Sequence, residues 1–558
     1  MATVVTTRKQ GQGLPKIIYI SAAWNIIIML GSFALSYILF TQEPNKQLKD
    51  LGDNVRYFLA LIALIPAAAA MYSVYGLLAR RPGGRYASMA LNYVGAVLSC
   101  LYLLHLWGVF IAFDDAGKAL FENSFLLWGF VIAYAVYWLA GRLPEYSPSR
   151  RYLEMFAIGV AMLALIALLL LGGAVEGVWN VISTYGELQT WAVTIVVIIF
   201  AFVGYQILNQ GDFFGETPDQ RTSWQGWLMV SPNIIGFMLF FAGPLLLSFY
   251  LSFTDSEPGS IPDVIGFKNY GDILSLEFKT LDDPEANPQR ALSFGYIPLD
   301  DFKIGNTRVV IGAKDVLFWK SLRNTIVFCM MLVPLSSIPA LLLAVIMNSK
   351  IPGMKFFRAA YFLPSVAAVV GTALIWRWLY ASDIGYINYA ITEFVNGINS
   401  IFGTQIEYQK TQWLTDQGIL LFSIVLLAAW QAVGFNTVLF LAGLQGIPTT
   451  LYEASFVDGA NRVQQFRHVT LPLLAPTTFY VIVTTVITGL QVFNEPYALI
   501  SSRPIPDAAT TSVIYLYNRG FFRFEFGYAS AVAWLLFALI FVVTIAQFRL
   551  QRSGSYDV

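Results

Sequence analysis

Residues 451–476 read LYEASFVDGANRVQQFRHVTLPLLAP, a polar and charged stretch between two apolar segments at about 418–445 and 473–493. A polar stretch between two such segments predicts a loop at a membrane face. Its small residues allow close backbone approach, and Gly459 permits a turn with positive φ between two short helices. Pro472 suits the first turn of the helix that follows. The stretch therefore predicts a compact helix–turn–helix on a membrane surface, shaped for contact with another protein.

The composition is that of a membrane protein. Hydrophobic residues make up 57% of the chain and charged residues 12%, whereas about a quarter of the residues in a soluble domain are charged. The formal net charge of +0 argues against a nucleic-acid partner. Cys100 and Cys329 lie in apolar runs and indicate neither a disulfide framework nor a metal site. The chain has two histidines, His105 and His468, which are too few to favour histidine-based metal or acid–base chemistry.

Twelve apolar segments approach the length of about 20 residues that a membrane span needs. The first is too long for the core of a signal peptide, so we interpret it as a retained span. The segments lie at about 17–40, 57–79, 87–113, 124–140, 153–173, 189–208, 227–253, 320–348, 357–380, 418–445, 473–495 and 526–548. The sequence thus predicts an all-α fold, a polytopic membrane helical bundle of about twelve transmembrane helices.

Basic residues are concentrated in alternate loops, and this pattern predicts orientation because cytoplasmic loops are rich in Lys and Arg. The basic loops include Arg80, Arg81, Arg85, Arg142, Arg150, Arg151, Arg462 and Arg467. We therefore expect a multi-pass protein of the plasma (cytoplasmic) membrane, with both termini and the 451–472 loop on the cytoplasmic side.

The chain is predicted to have two parts. Residues 209–226 form a polar stretch with turn-forming residues, which indicates a cytoplasmic linker. Before it, 1–208 is an N-terminal membrane extension of about six helices for which we favour a packing role. After it, 227–558 is a core of about six helices, with an extracytoplasmic insertion at 254–318 and a cytoplasmic loop at 446–472. The insertion is long enough for a small domain, and a disordered spacer is the alternative.

The order of motifs in the core resembles the permease subunits of binding-protein-dependent ABC importers of the carbohydrate type. The likeness is strongest to the larger permease subunit of maltose-type transporters. It rests on the loop EASFVDGA…TLPLLAP, and on LSFTDSEP, FFRAAYFLPSVAAVVGTALIWRWLY and FGYASAVAWLLFALI around it. The loop resembles the EAA loop of that family, with Ser455 in place of the third residue of the motif and Val469 in place of an isoleucine. The resemblance implies an ABC importer permease core in the C-terminal half.

In that family the EAA loop docks into a cleft on a cytoplasmic ATPase subunit, so the resemblance implies coupling residues here. They are Glu453, Ala454, Ser455, Asp458, Gly459, Phe466, Leu471 and Pro472. It also implies a second permease subunit in a heterodimer, two copies of the ATPase subunit, and an extracytoplasmic solute-binding protein. A G-x-x-x-x-G-K-[ST] phosphate loop is absent from the sequence, so we expect ATP and Mg to bind the ATPase subunit. We expect no catalysis, cofactor or metal in this chain.

A polar side chain inside a membrane span costs free energy, so its presence makes it a candidate for the transport pathway. In the resembling family, the spans that flank the EAA loop line the translocation path. The matching positions are Phe435, Asn436, Gln491, Asn494 and Glu495. Amide and acid groups beside aromatic rings suit a sugar, which offers hydroxyls and apolar ring faces. The alternative is interhelical hydrogen bonding that holds the bundle together, worth about 0.6–2 kcal/mol per contact.

We therefore expect a permease subunit of an ATP-driven importer for a carbohydrate, a disaccharide or an oligosaccharide. A polyol or glycerol phosphate is an alternative substrate, although a phosphate would favour several cations near the path and only Arg377 is available. A second alternative is a stand-alone secondary transporter driven by an ion gradient. Such transporters usually have two similar halves, and we see no similarity between 1–208 and 221–558.

Overall fold

The computed structural model describes residues 14–41, 53–109, 118, 123–144, 147–171, 173–258, 262–281, 287–304, 307–348 and 353–554. The last residues of the third predicted span, from 110 onward, lie outside them. Contacts divide the chain into two compact units, Met1–Ile235 and Gly236–Val558.

The first unit consists of long apolar helices joined by short connections. Its helices are α1 (Lys16–Thr41), α2 (Asp53–Leu78), α3 (Pro82–Leu106), α4 (Ser124–Ala140), α5 (Pro148–Leu171), α6 (Ala174–Thr184), α7 (Leu188–Leu208) and α8 (Pro218–Phe237). Helix α1 packs on α2, α2 on α3, α3 on α7, and α4 on α5. Ile18, Leu77, Val203, Ile207 and Phe214 form its buried apolar cluster.

The second unit contains the remaining helices and one small sheet. The helices are α9 (Gly243–Leu251), α10 (Lys268–Leu274), α11 (Pro288–Ala291), α12 (Val316–Met347), α13 (Met354–Val366), α14 (Val369–Leu379), α15 (Tyr386–Phe402), α16 (Leu420–Gln445), α17 (Thr449–Val457), α18 (Arg462–Gln465), α19 (Leu471–Leu473), α20 (Ala475–Leu490), α21 (Asn494–Leu499), α22 (Ser512–Tyr517) and α23 (Phe526–Gly554). At its centre α12 packs on α16 and α20, α13 packs on α16, and α14 packs on α21.

The helices confirm the all-α membrane class, but not the number of twelve spans. Among the described residues, nine helices are long and apolar enough to cross a membrane, and two bent pairs raise the number to at most eleven. The fourth predicted span is α4, whose 17 residues fall short of the roughly 20 that a crossing needs. Each other predicted segment overlaps one of the nine helices or a bent pair.

Part of the predicted linker 209–226 is helical. The backbone N–H of Thr217 donates to the side-chain oxygen of Gln220 (3.2 Å), and the N–H of Gln220 donates to the Thr217 hydroxyl (3.3 Å). This reciprocal capping starts α8 at Pro218, a residue suited to a first helical turn. The polar composition of the stretch does not reveal that a helix begins within it.

The predicted insertion at 254–318 contains a three-stranded antiparallel sheet in the order β1-β3-β2. Its strands are β1 (Leu276–Leu281), β2 (Ile297–Ile304) and β3 (Thr307–Ala313). Arg308 on β3 contacts Asp301 on β2 (2.6 Å), which ties these two strands at the surface. The described part of this segment is thus folded rather than irregular throughout.

Candidate functional site: a cavity at helix breaks and an exposed loop

A cavity of about 370 Å³ lies inside the second unit. Its walls combine aromatic and aliphatic side chains with amides, hydroxyls and one carboxyl group. They are Phe328, Leu332, Phe362, Ser365, Ala367, Val369, Ala428, Gln431, Ala432, Phe435, Asn436, Thr484, Thr485, Thr488, Val492 and Glu495. The volume and the mostly apolar wall with a few polar groups are typical of a small-molecule site.

Two breaks in helices lie at the wall of this cavity. Helices α13 and α14 meet at a bend of 97°, where Ala367 and Ala368 are in extended conformation. Helix α20 ends at Leu490, and α21 begins at Asn494. Non-helical backbone at membrane depth is tolerated where it is buried in protein or lines a cavity. The breaks therefore lie at a place where non-helical backbone is tolerated, since Ala367, Val492 and Glu495 line the cavity.

Helix α16 supplies the polar groups on one side of the cavity because a glycine lets it approach α13 closely. A Cβ atom at Gly434 would lie 2.6 Å from the carbonyl oxygen of Tyr361, so a larger residue would push the two helices apart. Two residues further along α16, Asn436 is 3% exposed and donates to the hydroxyls of Ser336 and Thr485, both at 3.3 Å.

Gln431, one turn before Asn436 on α16, has only one of its side-chain polar atoms bonded. Its Nε2 donates to the hydroxyl of Thr372 (3.1 Å). Its Oε1 is buried with no hydrogen-bond partner among the described residues. A buried acceptor without a partner costs about 1–3 kcal/mol, so a donor from a bound molecule or water would stabilise this wall.

The structure brings three of the five predicted path residues together. Phe435, Asn436 and Glu495 all line the cavity. Gln491 lies in the break after α20 and Asn494 at the start of α21, but neither is part of the wall. Asn436 also fits the alternative interpretation, because it bonds to two neighbouring helices.

The loop quoted at the start of the sequence forms two short helices before α20. The first is α17, and the second runs continuously over Arg462–Leu473 and consists of α18, a π-helical turn at Phe466–Thr470, and α19. Asp458 ends α17, and Gly459 turns the chain with φ of 81°, the positive value predicted for it. Asn461 then starts α18: its side chain accepts from the backbone N–H of Gln464 (2.9 Å), whose own side chain accepts from the N–H of Asn461 (2.7 Å). Both contacts are local, so the sequence of the loop specifies its own turn.

Two side-chain contacts between residues distant in sequence hold the loop helices against each other. The hydroxyls of Tyr452 on α17 and Thr470 lie 3.0 Å apart, and Gln465 donates to the carbonyl oxygen of Tyr452 (3.4 Å). A concavity of about 290 Å³ runs along the turn, lined by Ser455, Asp458, Gly459, Ala460, Gln464, Gln465, His468 and Val469. The loop therefore has a defined shape before any partner binds.

Most of the predicted coupling residues lie on the surface of this loop. Glu453, Ala454, Asp458, Gly459, Leu471 and Pro472 are exposed, while Ser455 and Phe466 are half-buried. The hydroxyl of Ser455 donates to the carbonyl oxygen of Tyr452 (2.8 Å), within its own helix.

A family model described as "Binding-protein-dependent transport system inner membrane component" matches residues 311–554. The probable ABC transporter permease protein YesP of Bacillus subtilis is 32% identical over 326 residues, which are 58% of this chain and 89% of YesP. The chain belongs to this permease family. The arabinooligosaccharides transport system permease protein AraP of Bacillus subtilis is 29% identical over 59% of this chain and 88% of AraP.

Among solved structures, the permease is similar to a chain in a bacterial ABC transporter that imports alginate. The identity is 19% and the TM-score 0.45, over 61% of this chain and 98% of the other. The family assignment rests on the sequence comparisons, and it confirms the resemblance deduced from the loop. The matched region, 311–554, contains both the cavity and the loop.

Several residues of the permease that bear on the site were not identified from the sequence. The unpaired oxygen of Gln431 depends on its neighbours in space, and Thr485, whose hydroxyl is in the wall, is an ordinary helix residue by pattern. Phe456 and Val457 are 75% and 84% exposed on a polar loop. Two adjacent apolar residues in a charged stretch were the signal that could have revealed them.

Proposed function

We propose that this permease is one half of the translocation path of an ATP-driven importer for an oligosaccharide or a disaccharide. It would pair with a second permease subunit, receive the sugar from an extracytoplasmic solute-binding protein, and be driven by two ATPase subunits bound from the cytoplasm. Relatives that are permease proteins of sugar transport systems support the substrate class.

The cavity at the helix breaks carries the proposal. It offers an amide oxygen without a partner (Gln431), a carboxyl group (Glu495) and hydroxyls (Thr484, Thr488) beside the ring of Phe435. Sugar hydroxyls are both donors and acceptors, and the C–H face of a sugar ring packs on an aromatic ring. No Lys or Arg lines this cavity in the described part of the chain, which disfavours a phosphorylated substrate.

The exposed loop would transmit the motion of the ATPase subunits. Glu453 is free to form a charge-assisted hydrogen bond with a basic group of the partner, and Phe456 and Val457 add apolar contact area. Since Gly459 fixes the turn between α17 and α18, a movement of the loop would be passed on to α20 and hence to the cavity wall.

Co-purification tests the coupling role. The permease is expressed with the neighbouring genes of its own chromosome, extracted in mild detergent, and tested for a bound ATPase subunit. We expect the ATPase to be retained by the wild type and lost from a Glu453→Lys, Gly459→Pro double variant.

A matched control makes the same two changes elsewhere. Glu393 is exposed on α15, and Gly403 ends that helix with φ of 65°. The Glu393→Lys, Gly403→Pro variant should retain the ATPase. If the coupling-loop variant keeps the ATPase as well as the control does, the loop is not the docking element and the coupling proposal is wrong.

A further inference from the structure

A cavity in the first unit lies between α3 and α8 and is separate from the cavity described above. It has a volume of about 540 Å³, within the range of about 300–1,000 Å³ that small-molecule sites occupy. Its walls are Tyr86, Met89, Ala90, Tyr93 and Val94 from α3, and Gln220, Ser223, Trp224, Trp227, Leu228, Ser231, Ile234 and Ile235 from α8.

Two hydrogen-bonding contacts connect α3 to the segment that contains α8. Near the start of α8, the hydroxyl of Tyr86 donates to Glu216 (3.4 Å). Deeper along both helices, the hydroxyl oxygens of Tyr93 and Ser231 lie 3.0 Å apart, within hydrogen-bond distance. Both residues belong to the wall, so this contact links α3 and α8 along the cavity itself.

Two polar groups along the middle of the cavity already have partners inside the protein. The indole N–H of Trp224 donates to Glu216 (2.5 Å), and the Ser231 hydroxyl donates to the carbonyl oxygen of Leu228 (2.6 Å). Glu216 in turn is paired with the buried guanidinium of Arg85 (3.0 Å). A sugar or a peptide inside would lose its hydrogen bonds to water with little in return, whereas hydrocarbon would lose nothing.

The length and the position of the cavity fit one lipid chain. From Gln220 to Ile235 the α8 wall rises about 22 Å, at 1.5 Å per residue. One leaflet of the bilayer contributes about 15 Å of hydrocarbon. The polar wall residues Gln220 and Ser223 lie in the first turns of α8, where a headgroup would sit, and the apolar residues from Trp227 to Ile235 follow in sequence. Helix α3 and the continuous helical stretch Pro218–Leu251, which begins with α8, are each long and apolar enough to span the membrane, so bilayer hydrocarbon is the medium that surrounds them.

We propose that this cavity binds the acyl chain of a membrane phospholipid, with its headgroup at the end of the cavity near Gln220 and Ser223. The bound chain fills the space between α3 and α8 and thereby supports the first unit, which gives part of this extension a lipid-binding role independent of the transported substrate.

Native mass spectrometry of the full chain, after delipidation in detergent and addition of palmitoyl-oleoyl-phosphatidylcholine, tests the proposal. We expect the wild type to retain one phospholipid at detergent concentrations that strip loosely bound lipid. In an Ala90→Trp variant, the indole occupies the cavity, and retention should fall about tenfold, which corresponds to ~1.4 kcal/mol.

The matched control is Ala68→Trp, the same change at an exposed position of α2, which should leave retention unchanged. If Ala90→Trp fails to fold, Val94→Trp, deeper in the same wall, replaces it. Equal retention in the wild type and the cavity variants would mean annular lipid only and overturn the proposal. So would loss of the lipid whenever a second permease subunit is co-purified, because the face would then be a subunit interface.

Discussion

Both units of this permease bury polar side chains among apolar helices, but they satisfy them in different ways. In the first unit, Asn25 donates to Ser73 (2.8 Å) and Ser88 (2.9 Å), Asn92 donates to Asn25 (3.3 Å), and the indole of Trp24 donates to Asn92 (3.0 Å). In the second unit, polar residues line a cavity, and in its wall the buried side-chain oxygen of Gln431 has no partner among the described residues. The same residue types thus form a closed network in one unit and an open surface in the other.

The difference teaches how to tell packing from function in a membrane span. A polar residue in the bilayer is a pathway candidate by default, yet the first unit shows that a group of such residues can be fully used in joining helices. A polar residue is a candidate for function when it has a donor or acceptor without a partner and faces a cavity large enough for a ligand. A polar residue whose donors and acceptors are all bonded to neighbouring helices has a packing role. This difference can be tested residue by residue.

The largest expected effect is on Arg85 in the first unit. Its guanidinium is 1% exposed, pairs with Glu216, and donates to the last carbonyl oxygens of α7 at Ile207 (3.0 Å) and Leu208 (2.7 Å). We expect Arg85→Met to lower the free energy of unfolding by about 3–5 kcal/mol, because it leaves a buried carboxylate unpaired. The measurement is thermal or denaturant unfolding of the purified chain in detergent.

A double variant is the control for that prediction. Adding Glu216→Leu to Arg85→Met removes the orphaned charge and should recover part of the lost stability. If the double variant were no more stable than Arg85→Met alone, the pair would not be the reason for the loss.

A matched pair of asparagines compares the two units directly. Asn92→Leu leaves the Trp24 indole and the Asn25 oxygen without partners and should cost about 1–3 kcal/mol of stability. Asn436→Leu breaks two bonds of 3.3 Å at a cavity where water or a ligand can replace them, so it should cost less stability and reduce transport more. Unfolding and ATP-driven sugar uptake in proteoliposomes measure the two effects. If Asn436→Leu cost more stability and Asn92→Leu reduced transport more, the distinction between a closed and an open network would be wrong.

A smaller effect is expected at Glu495 in the cavity. Glu495→Gln keeps the size of the side chain and removes its charge. Charge-assisted hydrogen bonds exceed neutral ones by about 1 kcal/mol, so uptake of a labelled sugar should fall by about fivefold to tenfold with unfolding unchanged. Unchanged uptake would show that Glu495 does not contact the sugar and has only a structural role in the cavity wall.

The smallest effect is expected outside the membrane, in the three-stranded sheet. Ser293 donates to Glu277 through its backbone N–H (2.8 Å) and its hydroxyl (2.6 Å), and these bonds, with a smaller contribution from Lys279, lower the pKa of Glu277. A depressed pKa stabilises the fold above the ordinary value of about 4.3, and this contribution is lost as the pH falls through the lower folded value.

Hydrogen exchange of the β1 and β3 amides checks this prediction. Protection in the wild type should weaken on acidification below pH of about 4.3. Ser293→Ala should make protection less dependent on pH, since the pKa of Glu277 then returns toward its ordinary value. An unaltered pH profile in that variant would show that Ser293 does not hold the carboxylate.

The sequence predicts what depends on local pattern. Apolar runs predict where the helices lie, and Gly459 with its small neighbours predicts the turn of the loop. The sequence does not predict the breaks at Ala367 and after Leu490, because a hydropathy run continues through a bend. Gln491 lies at such a break and is not part of the cavity wall. Its position along the predicted span could not show this, because the backbone leaves the helix after Leu490 and the direction of the side chain changes there.

Cysteine accessibility tests the central claim, that the second unit holds an open polar path and the first a closed network. In a background with Cys100→Ala and Cys329→Ala, the matched hydroxyl-to-thiol changes are Thr488→Cys, exposed in the cavity wall, and Ser88→Cys, fully buried in the network. A charged methanethiosulfonate reagent is applied to both sides of proteoliposomes. We predict labelling of Thr488→Cys and none of Ser88→Cys. Labelling of Ser88→Cys as fast as Thr488→Cys, or of neither, would contradict the account.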